Sequence, residues 1–486
     1  MKRVFFAFLL AIFFALCGGK ISHAQDGLEL TLGKTVGLAL RQNLLLKQEG
    51  LNISGARAGI MTAKGEFDPA FRAGALMNYL RTPPASIIFV SMQRKTEVSL
   101  GFSGKVPYGT RYELKWVNDR VRTSDTFGLI LNPYYSSEVT LTLTQPLLKD
   151  RGRSVQETAL NMAKNTFDIT SFKERQKAES IVMQAVQGYW DLKFRMDDVN
   201  VAKLSLRLAE SLLNETKEKI SAGYLPPVDV YEAEAEVYAR REGLFKAEKA
   251  VKDEEDTLKN LLDLSDWTAD IIPVEGLPAP VLREKRESLG DALQRRWDYK
   301  AALSGLKNME LQARFYKNQQ LPQLDAYASS GLNGLNSGYD STLEGLGSGN
   351  FYSWEIGMNL TIPIGNRTAR GAYLKAEYEK QKAQINLRIL EQNIRYELRE
   401  AERALQTAYD TIEAASSKKV AARKRYEAEK ERFSVGLSAL NDVLRYEVDY
   451  SSSLSDENRA RADYALALTK LEQASGRLLD DFLPGN

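Results

Sequence analysis

Between Gly152 and Gly223 the chain holds no proline and a single glycine, Gly188; between Gly371 and Gly436 it holds neither. Two uninterrupted stretches of this kind leave little choice of fold. At about 1.5 Å per residue, about 65 to 70 helical residues span roughly 100 Å. Ordinary globular helices run roughly 8–20 residues, so this length predicts coiled-coil packing. A seam supports it: Leu387, Leu390, Ile394, Leu398, Ala401, Leu405, Ala408, Ile412 and Ala415 recur at spacings of three and four. Tyr189, Leu192, Met196, Val199, Leu206 and Leu213 form a similar stripe, interrupted by Lys203 and Glu210.

Each stretch ends in one device. Residues 219–234 read KISAGYLPPVDVYEAE and residues 432–447 read RFSVGLSALNDVLRYE. Gly223 and Gly436, Asp229 and Asp442, Val230 and Val443, and Glu234 and Glu447 all pair at an offset of 213. The repeat runs further: Ala39-Leu40, Lys47 and Pro69 match Ala292-Leu293, Lys300 and Pro322 at offset 253, and Thr144 and Pro146 match Thr361 and Pro363 at offset 217. The first copy therefore carries about 36 extra residues between Pro69 and Thr144. Local rules predict a helical hairpin at each break. Gly223 and Gly436 would end a helix in the left-handed region. Ser438 would cap the returning helix, and Pro226 or Pro227 would occupy a first turn.

The strands alternate. Val139, Leu141 and Leu143 are interleaved with threonines; Ile356, Met358 and Leu360 are interleaved with Gly357, Asn359 and Thr361. Phe71–Tyr79 and Leu324–Leu332 are weaker strands. The extra residues read as a hairpin, Val98–Lys105 and Arg111–Asn118, around the turn Pro107-Tyr108-Gly109-Thr110. It would either join the sheet, giving six strands, or fold as an external cap. Residues 80–96, 121–137 and Asn333–Phe351 read as long loops. Alternation alone favours a soluble sheet, because soluble sheets are far commoner. Aromatics at the strand ends (Tyr79, Phe127, Tyr134, Tyr135, Phe351, Tyr352, Trp354) favour lipid, as in a barrel girdle.

The chain's start points the same way. Lys2 and Arg3, an apolar run over 4–16 and Ser22-His23-Ala24 read as a secretory signal peptide over 1–24. Cys17 follows the bulky Leu16, which argues against lipidation there. Cleavage removes three of the cations, taking the formal charge from +2 to −1, together with the only cysteine and the only histidine. That excludes Ser-His-Asp or Cys-His catalysis and histidine- or cysteine-bound zinc, and the near-neutral charge argues against nucleic acid. No cofactor or metal is expected. No later segment has about 18 consecutive apolar residues, so a membrane role requires a β-barrel.

The doubled layout, the Gly-x(5)-Asp-Val breaks, ERFSVGLSALNDVL (Glu431–Leu444), KEKISAGYLPPVDV (Lys217–Val230), LPQL (Leu321–Leu324) and TQPLL (Thr144–Leu148) together resemble the TolC-type outer-membrane factor (outer membrane efflux protein) family. The resemblance implies a mainly α fold with a transmembrane β portion. Two tandem repeats of helix–strands–long helix–turn–helix would form a trimeric β-barrel continuous with a periplasmic α-helical barrel. It implies a passive, non-enzymatic duct in the Gram-negative outer membrane, within a tripartite efflux pump or type I secretion system. Partners would be two further copies (a homotrimer), outer-membrane lipid, a periplasmic adaptor (membrane fusion) protein, and an inner-membrane pump or ABC transporter.

The resemblance also implies residue roles. Asp229 and Asp442 align with pore-gate aspartates, and Arg445 stands where a second acidic gate residue is expected. Helix-dipole stabilisation of a first-turn aspartate is the alternative role for both. Gly223, Val230, Arg432, Gly436, Ser438 and Val443 fall on the adaptor-docking tips. Val139, Leu141, Leu143, Ile356, Met358 and Leu360 would face lipid. The expected plan is a first repeat over 25–264 (strands about 69–146, helices about 153–221 and 228–263), a linker over 265–288 and a second repeat over 289–480. The second repeat would hold strands about 322–333 and 353–363 and helices about 367–434 and 440–476, followed by a tail, 481–486. The readings set against the duct are a secreted or periplasmic structural coiled coil, a periplasmic adaptor and a carboxylate-only enzyme.

Overall fold

A computed structural model of the chain describes residues 27–83, 92–124, 130–281, 287–480 and 482. The leader expected over 1–24, with Cys17, and Phe127 lie outside these residues. The first half contains β1 (Leu28–Leu30), α1 (Leu32–Gln42), α2 (Leu44–Lys64), β2 (Ala70–Arg81), β3 (Met92–Lys105), β4 (Arg111–Thr123) and β5 (Tyr134–Pro146). There follow α3 (Arg153–Gln156), α4 (Thr158–Ser221), α5 (Asp229–Leu262) and β6 (Ile271–Pro273). The second half contains α6 (Leu289–Arg295), α7 (Trp297–Gln319), β7 (Gln323–Asn336), α8 (Tyr339–Gly347), β8 (Tyr352–Thr361), α9 (Arg367–Ser434) and α10 (Leu440–Ser475). The helix expected from residue 153 is interrupted at Glu157, and 64 continuous residues follow in α4; α9 has 68. The described residues form two compact units: those within 48–176 and 293–395, and those within 27–47, 177–292 and 396–482.

The first unit holds one six-stranded sheet in the order β2-β3-β4-β5-β7-β8, antiparallel throughout. The extra hairpin is therefore inside the sheet, between β2 and β5, and is not an external cap. Its strands outrun the sequence reading. The loops expected at 80–96 and 121–137 are strand at both ends, because β2 and β3 stay paired out to Arg81 and Met92, β4 runs to Thr123 and β5 begins at Tyr134. The loop expected at Asn333–Phe351 also shortens. It holds α8, packed over the end of β7 so closely that a Cβ on Gly334 would lie 2.2 Å from the Thr342 carbonyl oxygen.

Register sorts the side chains, since direct partners share a face. Phe71, Phe102, Leu114, Leu141, Ser330 and Trp354 are successive partners across the six strands, and Ala73, Leu100, Trp116, Val139, Leu332 and Tyr352 form the next row. Leu143, Ile356, Met358 and Leu360 share that face. The intervening row is Arg72, Gly101, Lys115, Thr140, Gly331 and Ser353. One face is apolar and the other polar and small.

The second unit is helical and is cored by the seam: Leu398, Ala401, Leu405, Ile412 and Ala415 pack with Ala460, Tyr464 and Leu471 of α10. The segment expected as a plain linker contributes β6, which pairs in parallel with β1. Tyr189, fully buried, pins this pair: its hydroxyl donates to the Leu30 carbonyl (3.3 Å) and accepts from the Glu275 N–H (3.1 Å).

Candidate functional site: the hairpin tips and the apolar sheet face

At both breaks the backbone turns left-handed at glycine, with φ of 80° at Gly223 and 79° at Gly436. The bonding is that of a Schellman motif, which satisfies carbonyls the helix end would orphan. Tyr224 N–H donates to Lys219 C=O (2.8 Å) and Gly223 N–H to Ile220 C=O (3.0 Å). Leu437 and Gly436 repeat both bonds to Arg432 (2.8 Å) and Phe433 (3.0 Å). A side chain at either glycine would meet open space, so the need for glycine is conformational.

The returning helices start differently from expectation. Ser438 is not a cap: Ala439 holds the N-cap position of α10, and the Ser438 hydroxyl donates to Glu429 on the preceding helix. Pro226 and Pro227 lie in the turn ahead of α5, where the Pro226 carbonyl accepts from Asp229 N–H (3.1 Å). Asp229 and Asp442 do lie in first turns, half-buried, where the helix dipole favours them. Asp442 pairs with Arg445 at 3.5 Å. The two side chains keep 59% and 46% of their accessibility, so the pair is worth about 0–1 kcal/mol.

Val443 is completely enclosed among Leu212, Ala233, Tyr426, Phe433, Leu440 and Leu444. It builds the hairpin's own core and presents nothing to a partner, which corrects its assignment to a docking surface. Val230 is half-buried; Arg432 is exposed, paired with Glu429 at 3.2 Å and donating to Leu437 C=O. The residues the tips do expose went unnoticed in the sequence: Tyr224, Val228, Tyr231, Val435 and Leu437 are between 64% and 81% accessible. Their signal was available, because Tyr224 and Leu437 directly follow the two glycines.

The two tips are tied together. Lys219, the repeat counterpart of Arg432, donates to the Phe433 carbonyl and sits 3.8 Å from that ring's centre. Nearby phenols are pushed in opposite directions. Hydrogen bonds from Arg425 and Arg445 (2.8 and 2.9 Å) lower the Tyr446 pKa. Burial first, then the Glu447 charge, pushes Tyr426 up to about 12. The unfolded phenol ionises near ~10. Stability from a neutral Tyr426 is therefore complete below about pH 10 and drains away as pH rises towards about 12, by on the order of 2 kcal/mol. Alkaline titration followed by circular dichroism should show helix loss in that window. Tyr426→Phe should blunt it; an unchanged profile would refute the assignment.

The apolar sheet face is bare. Trp354, Ile356, Met358 and Leu360 are 59–75% accessible, Leu141 and Leu143 43%. The described helix packed closely on the sheet is α8, at one end. Among the described residues, both edge strands, β2 and β8, lack a partner on one side.

Residues 288–477 match the family model described as "Outer membrane efflux protein". The chain is 21% identical over 308 residues to the outer membrane protein TolC of Vibrio cholerae, covering 62% of this chain and 68% of that one. Its fold is similar to the Campylobacter jejuni CmeC outer membrane channel (TM-score 0.67, 19% identity, 92% of this chain and 86% of that one). It is also similar to the outer membrane protein VceC of Vibrio cholerae (TM-score 0.69, 15% identity, 92% and 96%).

Proposed function

We infer that this chain, whose residues 288–477 match the outer membrane efflux protein family model, is an outer-membrane channel through which substrates pass passively after delivery by other proteins. The carrying observation is the sheet: a broad apolar band, exposed over most of one face, and two edges without a strand partner among the described residues. In water, a row such as Trp354-Ile356-Met358-Leu360 would aggregate. In lipid it is stable, provided every backbone group is paired, and that requires a closed barrel.

A single sheet of six strands leaves two edges open; further copies close it. With an even strand count per copy, β8 of one copy meets β2 of the next antiparallel, so the ladder continues without a change of pattern. Three copies, the number the family resemblance implies, give eighteen strands. The lipid-facing set then includes Val139, Leu141, Leu143, Ile356, Met358 and Leu360, and the threonine- and glycine-rich face lines the bore. The exposed apolar side chains on the long helices, such as Tyr378, Ile385 and Ile389, would be covered by the neighbouring copies.

The tips carry the gate and the docking surface. Asp229, Asp442 and Arg445 would ring the axis, and the Asp442–Arg445 pair leaves a weaker preference for cations than carboxylates alone. Tyr224, Val228, Tyr231, Val435 and Leu437 would meet a periplasmic adaptor that links the duct to an inner-membrane transporter.

Purified protein should need detergent for solubility, migrate as a heat-dissociable trimer, and give discrete single-channel currents in planar bilayers. Asp229→Ala with Asp442→Ala should reduce block by divalent cations. A monodisperse, detergent-free monomer without currents would overturn the channel reading; unchanged block would remove only the gate.

A further inference from the structure

We propose that the apolar sheet face carries, at the end remote from the Pro107–Thr110 turn, a binding site for a phosphate-bearing lipid headgroup, built from Arg81, Arg94, Arg120 and Arg122. This rests on the membrane reading above. Register puts all four on the lipid-facing side. Arg94 is the direct partner of Tyr79 and of Arg122; Arg120 is the direct partner of Tyr135; Arg81 shares a face with Tyr79 two residues away. All four are exposed.

Three features distinguish the cluster from ordinary surface charge. First, two arginines, Arg94 and Arg122, stand directly opposite each other, a like-charge pairing that destabilises a sheet unless an anion bridges it. Second, none of the four forms an ion pair with a carboxylate of the described residues, and the six strands place no Asp or Glu on this face. The acids of α8, Asp340 and Glu344, pair with none of them. The contrast with the other face is direct: there Lys95, between the same strands, is bonded to both Glu97 and Asp119 at 3.0 Å. Third, the guanidiniums are seated on aromatic rings, Arg94 5.9 Å from the Tyr79 centre and Arg120 5.9 Å from Tyr135.

Tyrosines of this kind sit at the depth of lipid headgroups, with the apolar band below them. Guanidiniums immediately above that band would meet phosphate at its own level, and their forked donors fit phosphate oxygens bidentately. The helices leave the sheet from the turn end, after Pro146 and Thr361. The arginine end is therefore the outer one, and the ligand belongs to the outer leaflet.

The test uses the assembled full-length channel and its Arg94→Gln/Arg122→Gln variant in detergent, with bis-phosphorylated lipid A and its dephosphorylated form as probes. Lipid retained by the assembly is read by native mass spectrometry. Wild type should hold the phosphorylated probe about tenfold more tightly than the dephosphorylated one. The glutamine variant should lose that discrimination, and Arg94→Lys/Arg122→Lys should keep part of it. Equal retention of the two probes by wild type, or unchanged discrimination in the glutamine variant, overturns the site. Displacement by millimolar inorganic phosphate would make free phosphate the ligand and overturn the lipid assignment. Liposome flotation separates the two levels. Wild type that floats without discriminating refutes the arginine site alone; wild type that fails to float refutes the membrane reading and the site with it.

Discussion

Excising residues 84–129 should yield a channel that still inserts but whose barrel has lost a third of its diameter. The deletion removes β3 and β4 together and makes β2 and β5 neighbours. Because an antiparallel pair is taken out, the alternation of strand direction survives. The faces also stay in phase: Phe71, Ala73 and Ala75 on β2 and Val139, Leu141 and Leu143 on β5 already lie on one side of the sheet. Three copies would then contribute twelve strands instead of eighteen. With strands about 4.8 Å apart and tilted about 40°, eighteen close at a backbone diameter of about 36 Å and twelve at about 24 Å. The cross-section falls to less than half. Electron cryomicroscopy of the two trimers reads strand number and diameter directly. An unchanged diameter in the excised protein, or twelve strands in the intact one with the hairpin outside the wall, would refute the role given to the insertion. The inserted hairpin would thus set the width of the outer exit independently of the helical tips.

The parts of this fold legible in the sequence are those fixed by local chemistry. Gly223 and Gly436 announce a left-handed turn because other residues pay a steric cost there. Val139, Leu141 and Leu143 announce a strand because a period of two has no helical equivalent. The missed parts depend on partners distant in the chain. β1 and β6 are three residues each and exist only because each finds the other across more than 200 residues. α8, with Gly345 and Gly347 inside it and Gly338 at its N-cap, has low helical propensity and is held by its seat on β7. Ser438 followed the capping rule on paper, yet Glu429 competes for its hydroxyl and Ala439 takes the cap. Val443 sits at the same repeat position as half-buried Val230, and only the packing of α10 on Phe433 and Tyr426 shows that it is enclosed. The four arginines look like scattered loop charges until register brings them into one cluster.

Arg240→Ala should destabilise the helical unit by about 3 kcal/mol, a large effect for a charged side chain. Glu447 of α10 is 2% exposed, and its carboxylate is held by three groups: Ser205 of α4 and Ser451, whose hydroxyls donate at 2.7 Å, and Arg240 of α5 at 3.1 Å. Three helices thus converge on one buried charge. The Arg240 contact is Coulombic more than directional, since neither the second Glu447 oxygen nor the arginine's Nε and facing Nη2 completes a well-aligned hydrogen bond. Removing the cation leaves a nearly dry carboxylate with two neutral donors, and breaking a buried pair in this way costs about 3–5 kcal/mol. The lower end applies because the Arg240 side chain retains 21% exposure. Replacing both partners, Arg240→Met with Glu447→Gln, should restore most of the loss, because the buried Glu447 charge is then gone and the serines keep an amide to bond; Arg240's other ion-pair partner, Glu236, is a quarter accessible and can be solvated. Denaturant unfolding followed by circular dichroism would give the double-mutant cycle. A coupling near zero, or a single-substitution cost under about 1 kcal/mol, would place Arg240 among ordinary surface charges. With the predicted coupling, the pair is what fastens the return helix of the second hairpin to that of the first. The tips then separate only after Glu447 is rehydrated, so Arg240→Ala should also raise the fraction of time the duct conducts.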